Sequence, residues 1–547
     1  MKILFLVPMH IPFGAFTNPD DNQRVSQKQD GRFYNLPPTD LPLGVLSMSA
    51  FLKKWEKVEV QLIDFNIEAV ACQSFDYDSF FAFAQNRLSQ LDFKPDLIGV
   101  SCLFSPAFQN FMETGLAARQ VFENTVIIGG GNIPTSAWQE IYLPTPEKSP
   151  FDALCYGEGE LPMLELVRSG NPFEYFKTAK SWITPEKACN GFVPQHTFIE
   201  NLDEIPFFDY DLCDIDQHNA NLVVTSFATS KKERSFHVMT SRGCPFKCTF
   251  CASHAVHGRD MRYHSLERIR ADFMMLKEKY GATMLIFQDD HFMSDRNRVF
   301  TILNTLKELD LHSTYQSGLA LYALDRPMLE AFHAAGVRQL VLAVESGSQR
   351  VLKHLMKKPL KLEISQRVAN DCRELGIYTN TNILIGIPGE TKEDIEDTRK
   401  NLRTINSNWF HINCTSPLVG SEIHAVAKKH GYIQGNTLGA DYKVAAIETP
   451  DFSVAHIREM QYLLNLELNF VYNNDMRLGE YQTALKGFEN VITIRKDHAF
   501  AWFYAGECHK QLGDTEQAAA CRRRYDQYAT TSFWKQYVSK FALPFPE

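Results

Sequence analysis

Residues 241–251 read Ser-Arg-Gly-Cys-Pro-Phe-Lys-Cys-Thr-Phe-Cys. Cys244, Cys248 and Cys251 are separated by three and then two residues. Thiolate is the ligand that iron–sulfur clusters use, and thiols this close on the chain can grip one cluster. A structural zinc or an electron-transfer cluster takes four protein ligands. Three ligands on a four-iron cluster leave one iron open, which a catalytic site needs and a structural site avoids. The competing reading is a zinc knuckle, or three unrelated thiols.

Such thiols need elements that bring them to one mouth. From 235 to 430, strand-like runs at 236–240, 284–288, 313–317, 339–344, 378–385 and 409–414 alternate with helical runs at 266–280, 296–309, 326–335, 361–375, 392–405 and 422–430. This α/β alternation predicts a partial (β/α)6 TIM-type barrel, whose reactive residues come from the carboxyl ends of the strands and the loops after them. The cysteine loop follows the first strand directly. Other strand ends carry polar groups or glycine: Gln288-Asp289-Asp290-His291, Glu345-Ser346-Gly347-Ser348, and Gly386-Ile387-Pro388-Gly389-Glu390-Thr391. Structural readings compete at several. Asp289 suits a helix cap, and Glu390 suits a first-turn dipole position. Glu345 closes an apolar strand, where an unpaired carboxylate would be costly to bury. Gly258, Arg259 and Arg262 suit an anionic group or a basic surface equally well.

Residues 1–170 alternate in the same way, with strands at 2–7, 58–64, 96–101 and 126–128 and helices at 44–55, 80–91, 107–122 and 160–167. The spacing predicts a parallel, doubly wound Rossmann-like sheet, with ligands beyond the carboxyl ends of its strands. Ser101 ends one strand, and Gly129-Gly130-Gly131 follows another, where backbone can approach a ligand closely. No G-x-G-x-x-G follows the first strand, which argues against a dinucleotide site.

Residues 171–234 lack sustained periodicity and read as a linker. Its Asp209, Asp211, Asp214 and Asp216 read as a solvated acidic loop rather than a cation site. Residues 431–547 read as a loop (431–450) and then an α-helical domain. Arg477-Leu478-Gly479 with Ala484 is echoed 34 residues later by Gln511-Leu512-Gly513 with Ala518, the tetratricopeptide (TPR) period. The repeat-like stretch covers about 465–532. So few units lean on another domain, so this one is expected to dock on the barrel, close its mouth or receive a protein partner.

At 547 residues the chain is too long for one core. Net charge −9 and pI ≈ 6.0 argue against a nucleic-acid surface. The first residues carry one cation, a short apolar run and Pro8 without a cleavage site, so they read as a buried strand and not a secretory leader. No apolar run approaches the ~20 residues of a membrane span. The chain has 12 cysteines, and those outside the motif are scattered through apolar segments. This is the pattern of a reducing, cytoplasmic setting.

The C-x3-C-x2-C run, with Phe250 before its third cysteine, resembles the radical S-adenosylmethionine (SAM) superfamily. The resemblance implies a 4Fe-4S cluster on Cys244, Cys248 and Cys251 whose open iron binds SAM. It also implies an external flavodoxin- or ferredoxin-type electron donor and cleavage of SAM to a 5′-deoxyadenosyl radical. Implied SAM contacts are Phe250, Asp289, Asp290, Ser317, Glu345, Ser346, Asn382, Ile387 and Pro388. The turn at 414–420 is similar to the P-x-P-G-T turn of many members, with Val419 in place of a proline.

Four features occur in order ahead of the barrel: Pro42-Leu43-Gly44, Asp-Leu-Ile-Gly-Val-Ser at 96–101, Ile-Ile-Gly-Gly-Gly-Asn-Ile-Pro at 127–134, and Tyr-Gly-Glu-Gly-Glu at 156–160. They resemble the cobalamin-binding (B12-binding) domain that precedes many such barrels, and residues 201–206 resemble the motif joining the two. Implied cobalamin contacts are His10, Ser101, Cys102, Gly129, Gly130, Gly131, Pro134, Gly157 and Glu158. Many cobalamin proteins carry D-x-H-x-x-G, whose His is the lower cobalt ligand. Here Pro8 replaces the Asp and Gly14 comes one residue late, so His10 reads as a ligand or as loop packing.

Together the resemblances imply a cobalamin-dependent radical SAM methyltransferase. One SAM methylates the cobalt. A second gives the radical that removes hydrogen from an unactivated carbon, which then takes the methyl group. A non-methylating cyclase of the porphyrin-ester type, or a rearrangement, shares both domains. A TPR-bearing interaction protein that holds the cofactors without turnover is the reading of another class. The substrate is read no further than a small molecule or peptide.

Overall fold

β1 (Lys2–Val7) is apolar on both faces and buried from its second residue onward, as a central strand of a parallel sheet must be. The computed structural model describes residues 1–19, 25–219, 233–435, 438–439 and 445–545. Parts of the expected linker (220–232) and loop (436–437 and 440–444) lie outside the described residues, as do 546–547.

Around β1 stand β2 (Glu59–Asp64), β3 (Leu97–Ser101), β4 (Val126–Gly130), β5 (Ala153–Cys155) and β6 (Trp182–Ile183), in the order β2-β1-β3-β4-β5-β6. The first five are parallel. Strand order reverses between β1 and β3, the switch point where such sheets bind ligands. β6 lies antiparallel to β5, pairing Cys155 with Trp182 and Leu154 with Ile183. The sheet therefore runs past the expected boundary at 170, into what reads as linker. A two-residue strand is too short to leave a period in the sequence.

The second unit is a half-barrel of β7 (Ser235–Val238), β8 (Met284–Phe287), β9 (His312–Tyr315), β10 (Gln339–Glu345), β11 (Tyr378–Ile385) and β12 (Trp409–Cys414). They form two parallel three-stranded sheets, β9-β8-β7 and β10-β11-β12, joined by a bridge between Leu319 and Leu342. Phe236, Val238, Leu285, Phe287 and Tyr315 pack in the core under the helices. The alternate face of the same strands leaves His237, Met239, Gln288 and Gln316 on the cavity side. The turn after β12 reaches the sheet domain. Val419 packs in that domain's core, and a Cβ on Gly420 (φ +90°) would lie 2.8 Å from Ser136 Oγ. An apolar residue in place of proline therefore has a packing reason here.

The C-terminal region is helical: Val454–Leu466, Tyr481–Ile494, Ala499–Gln511, Thr515–Ala529 and Ser532–Lys540. It docks on the outer edge of the half-barrel, with Ile457 against the turn at Gly386 and Gln461 on the Ile412 carbonyl. Glu467, 3% exposed, pairs with Arg399 and Arg403. Asp475 accepts from Arg373 and Asn408, each at 2.8 Å. Among the described residues no helix is long and apolar enough to cross a membrane.

Candidate active site

After β7, Ser241–Arg242 pairs antiparallel with Arg262–Tyr263, and this ribbon closes the loop that carries the three cysteines. Gly243 sits at φ +95°, and a Cβ there would lie 2.2 Å from the carbonyl oxygen of Asp260. Only glycine fits between Arg242 and Cys244. Thr249, between Cys248 and Phe250, pins the middle of the loop. Its N–H donates to Met356 O at 3.0 Å, its hydroxyl to Leu355 O at 2.7 Å, and its carbonyl accepts from Ile423 N–H at 3.0 Å.

The three thiols are partly buried and lie within electrostatic reach of one another. Burial pushes Cys244 up to about 11 and raises Cys248, against which Lys358 pulls. Such thiols ionise when a metal's charge is supplied. Among the described residues no three His, Cys, Asp or Glu side chains close to single-ion spacing. Three neighbouring thiols are the donor type that an iron–sulfur cluster takes.

The two adjacent aspartates after β8 have separate surroundings. Asp289, 2% exposed, accepts the hydroxyls of Thr240 and Ser241, each at 2.6 Å, and the Thr240 N–H at 3.1 Å. Burial raises its pKa against those bonds. It ties β8 to the root of the cysteine loop and, like Phe250, Glu345, Asn382, Ile387, Pro388 and the three cysteines, stands outside the lining of the cavity between the domains. Asp290 does line the cavity, and it accepts the Gly243 N–H at 3.1 Å.

Ser346 is also outside the cavity lining. It is fully buried, 3.3 Å from the Thr398 hydroxyl, and accepts the Ser348 N–H at 3.1 Å. The neighbouring Gly347 serves helix packing, since a Cβ there would lie 2.7 Å from Thr398 Cα. Glu345 stands at a register shift in β10 with φ +70°, and its carboxylate lies 3.4 Å from Lys358 Nζ. That ammonium is 5.8 Å from the centre of the Phe250 ring. Asn382 is half-buried in β11, between Ala343 and His411. Ile387 is buried, and Pro388 is half-exposed in the following turn. Glu390 holds that turn: its Oε2 accepts Gly386 N–H at 2.6 Å and Ile387 N–H at 3.1 Å. Its Oε1 has no partner, and burial pushes its pKa up to about 7.

A cavity of ≈ 420 Å³ opens between the carboxyl ends of the sheet and of the half-barrel. Ser317, Asp290, Gln288 and Gln316 line it from the barrel side. His10, Ser101, Gly129, Gly130, Gly131, Gly157 and Glu158 line it from the sheet side. Cys102 and the buried Pro134 stand outside this lining. The Cys102 carbonyl lies 2.6 Å from where a Cβ on Gly131 (φ +103°) would be, so that position requires glycine. His10 is 7% exposed, packs edge-on to Phe104 at 5.1 Å, and leaves its Nδ1 without a partner. Burial lowers its pKa, while Asp64 and Asp40 pull the other way. A glycine-lined wall with an orphaned imidazole nitrogen fits a bulky cofactor in contact with backbone.

Residues 39–167 match the B12 binding domain, and residues 238–402 match the radical SAM superfamily. This chain joins a B12-binding domain to a radical SAM domain.

Among curated proteins it is 26% identical over 399 residues to an uncharacterized methyltransferase of Pyrococcus horikoshii, covering 71% of this chain and 81% of that one. It is 27% identical to the cytidylyl-2-hydroxyethylphosphonate methyltransferase of Streptomyces wedmorensis, over 80% of this chain and 87% of that one. It is 24% identical to the anaerobic magnesium-protoporphyrin IX monomethyl ester cyclase of Rubrivivax gelatinosus, over 58% of this chain and 56% of that one. The fold is similar to that of the radical SAM methyltransferase TsrM of Kitasatospora setae, solved with tryptophan and a SAM analogue. The TM-score is 0.57 at 15% identity, over 84% of this chain and 82% of that one. It is likewise similar to the cobalamin-dependent radical enzyme OxsB with aqua-cobalamin and SAM bound, with a TM-score of 0.58 at 13% identity, over 100% of this chain and 82% of that one.

At the seam between the B12-binding and radical SAM domains, Glu158 is engaged by three groups of the cysteine loop: Arg242, His257 and Arg262. Burial works to raise its pKa, and the neighbouring charges of Arg242, His257 and Arg262 overcome that and hold it well below the usual carboxylate range. Arg242 is absent from the sequence-derived candidates, and Arg262 is read there as a surface or anion-facing residue. It is in fact 6% exposed. The available signal was the pair of carboxylates in Gly157-Glu158-Gly159-Glu160, too many for a glycine turn without buried counter-charges.

Proposed function

We propose that this chain is a cobalamin-dependent radical SAM methyltransferase. The observation that carries the proposal is the shared cavity. Residues flanking the three thiols (Arg242 before them, Ser253 and His257 after them), the barrel strand ends at Gln288, Asp290 and Ser317, and the glycine-lined sheet ends open onto one space, so that space can receive cofactors from both domains.

When bound, the cluster with SAM supplies a 5′-deoxyadenosyl radical, and cobalamin supplies a methyl group. The chain's own residues hold and orient them. Cys244, Cys248 and Cys251 grip the cluster, with Thr249 fixing two of the three. Asp290 offers a carboxylate to the SAM ammonium. Glu345 would offer one to the ribose hydroxyls, and the turn at Ile387 and Pro388 would hold the adenine. Gly130, Gly131, Ser101 and His10 would hold the cobalamin. The apolar walls keep water from a reactive site. Once the cluster is held, its electron would come from an external donor of the flavodoxin or ferredoxin type, and the substrate would be a small molecule or peptide. Two of the relatives named above are methyltransferases matched over most of their length, while the cyclase is matched over about half. This favours methyl transfer over cyclisation.

We read residues 465–532 as a TPR-like unit, because Gly479 and Gly513, 34 residues apart, both take positive φ (+80° and +83°) just before alternate helices, Tyr481–Ile494 and Thr515–Ala529. In this reading the unit braces the barrel edge and leaves its outer face to a protein partner, in a cytoplasmic protein.

The test is anaerobic turnover with SAM, cobalamin, a reductant and candidate substrates. S-adenosylhomocysteine formed together with 5′-deoxyadenosine supports methylation. 5′-Deoxyadenosine alone favours a cyclase or rearrangement, and no cleavage of SAM favours a non-catalytic binding protein.

A further inference from the structure

Arg242 and Arg262 are cross-strand partners in the ribbon that closes the cysteine loop. Like charges directly opposite across two strands repel, and each residue is only 6% exposed. The compensating charge comes from the other domain. Glu158 Oε2 lies 3.0 Å from Arg242 Nη1, while its Oε1 accepts from Arg262 Nη2 at 2.5 Å and contacts His257 Nδ1 at 2.9 Å. Glu160 takes the other end of Arg242 at 2.7 Å and the Ser47 hydroxyl at 2.5 Å. Arg262 is stacked on Phe198 at 4.2 Å and donates to Ile199 O at 2.9 Å. Arg242 precedes the first cysteine, and His257 and Arg262 follow the last. One carboxylate therefore holds both ends of the cysteine loop.

We propose that Glu158 is a positioning residue that closes the cysteine loop from across the domain boundary. Cluster assembly in its working place then depends on the docked B12-binding domain. The proposal rests on the reading of the three thiols as cluster ligands. Removing one partner of a buried ion group leaves its counter-charges uncompensated. Here Arg262 would lose its carboxylate and Arg242 would keep Glu160 alone, leaving one carboxylate for two arginines already opposed across a ribbon. Opening the ribbon relieves them, and it also moves Gly243 off the Asp260 carbonyl and displaces Cys244. Glu158 acts on the cluster through Arg242 and the chain that follows it.

The test compares wild type, Glu158→Gln and the double variant Glu158→Gln with Arg262→Gln, all as full chains loaded anaerobically with iron and sulfide. Glutamine keeps the shape of residue 158 and removes its charge. Cluster retention under a chelator challenge, followed by iron–sulfide absorption and electron paramagnetic resonance (EPR), is expected to fall about 10- to 100-fold in E158Q, the range for outer partners of metal ligands. The double variant removes the repulsion and is expected to retain more cluster than E158Q. A role in packing alone predicts that the two losses accumulate. Wild-type retention in E158Q, or a double variant no better than the single one, overturns the proposal. If E158Q is insoluble, a soluble double variant supports it and an insoluble one overturns it. Wild-type chain that takes up no cluster fails the ligand reading itself, a separate result.

Discussion

Asn469 completes the outer edge of β12 with its side chain: it accepts the Phe410 N–H and donates to the Phe410 carbonyl, both at 2.8 Å. Gln461 donates to the carbonyl of Ile412 two residues along, at 2.7 Å. A half-barrel leaves an open edge, and exposed edges are liabilities for aggregation. The C-terminal helices supply the pairing that a further strand would have given.

Asn469→Leu keeps the volume and removes both bonds. Two buried backbone groups are then unpaired, an expected cost of about 2–4 kcal/mol. The check is thermal unfolding and limited proteolysis: the first transition is expected to drop, with cleavage appearing near residues 405–414. Unchanged melting would mean that the edge is covered without this residue.

Asp289 and Asp290 are expected to separate under the same substitution. Asp290→Asn keeps an acceptor for the Gly243 N–H and removes the charge offered to SAM, so SAM affinity should fall about tenfold or more, the scale of one charge-assisted bond, with melting unchanged. Asp289→Asn places an amide where hydroxyl and N–H donors converge. It should cost about 1–3 kcal/mol of stability. Calorimetric SAM titration and melting curves on both variants check the pair, and matching effects would contradict the division of roles.

Glu345 combines a carboxylate with left-handed backbone at φ +70°. A non-glycine residue there stores about 1–3 kcal/mol. Glu345→Gly is expected to melt at or above the wild-type temperature while binding SAM more weakly. A variant that loses stability would instead make the Lys358 contact structural.

Glu390 sets a pH dependence. Its folded-state pKa of about 7 lies above its ordinary 4.5 because burial outweighs its two backbone hydrogen bonds. A raised carboxyl contributes stability that is complete below pH 4.5 and is lost as pH rises through about 7. The loss amounts to about 3 kcal/mol at roughly 1.4 kcal/mol per unit. Glu390→Gln should flatten the fall in stability across that window, read by chemical unfolding at several pH values. An unchanged slope would assign the dependence to other groups.

The sheet and the half-barrel were legible because several of their strands are apolar runs of four or more residues between helical periods, as in β1, β8 and β10. β6 was not, because Trp182 and Ile183 are too few to show alternation. The cysteine motif was legible from spacing alone. The roles of Asp289 and Asp290 were not, because neighbouring residues at a strand end point to opposite sides and the sequence does not say where the strand stops. The Glu158 group was hidden for a different reason. Its bonds to Arg262 join residues 104 positions apart in two domains, and no local pattern records such a meeting.

EPR on the anaerobically reconstituted, reduced protein, with and without SAM, reads whether three thiols hold a cluster with an open iron. About four iron and four sulfide per chain are expected, with a 4Fe-4S signal that changes shape on adding SAM and is lost in Cys248→Ala. Zinc bound at the three thiols, or a cluster signal that SAM leaves unchanged, would contradict this reading of the thiols.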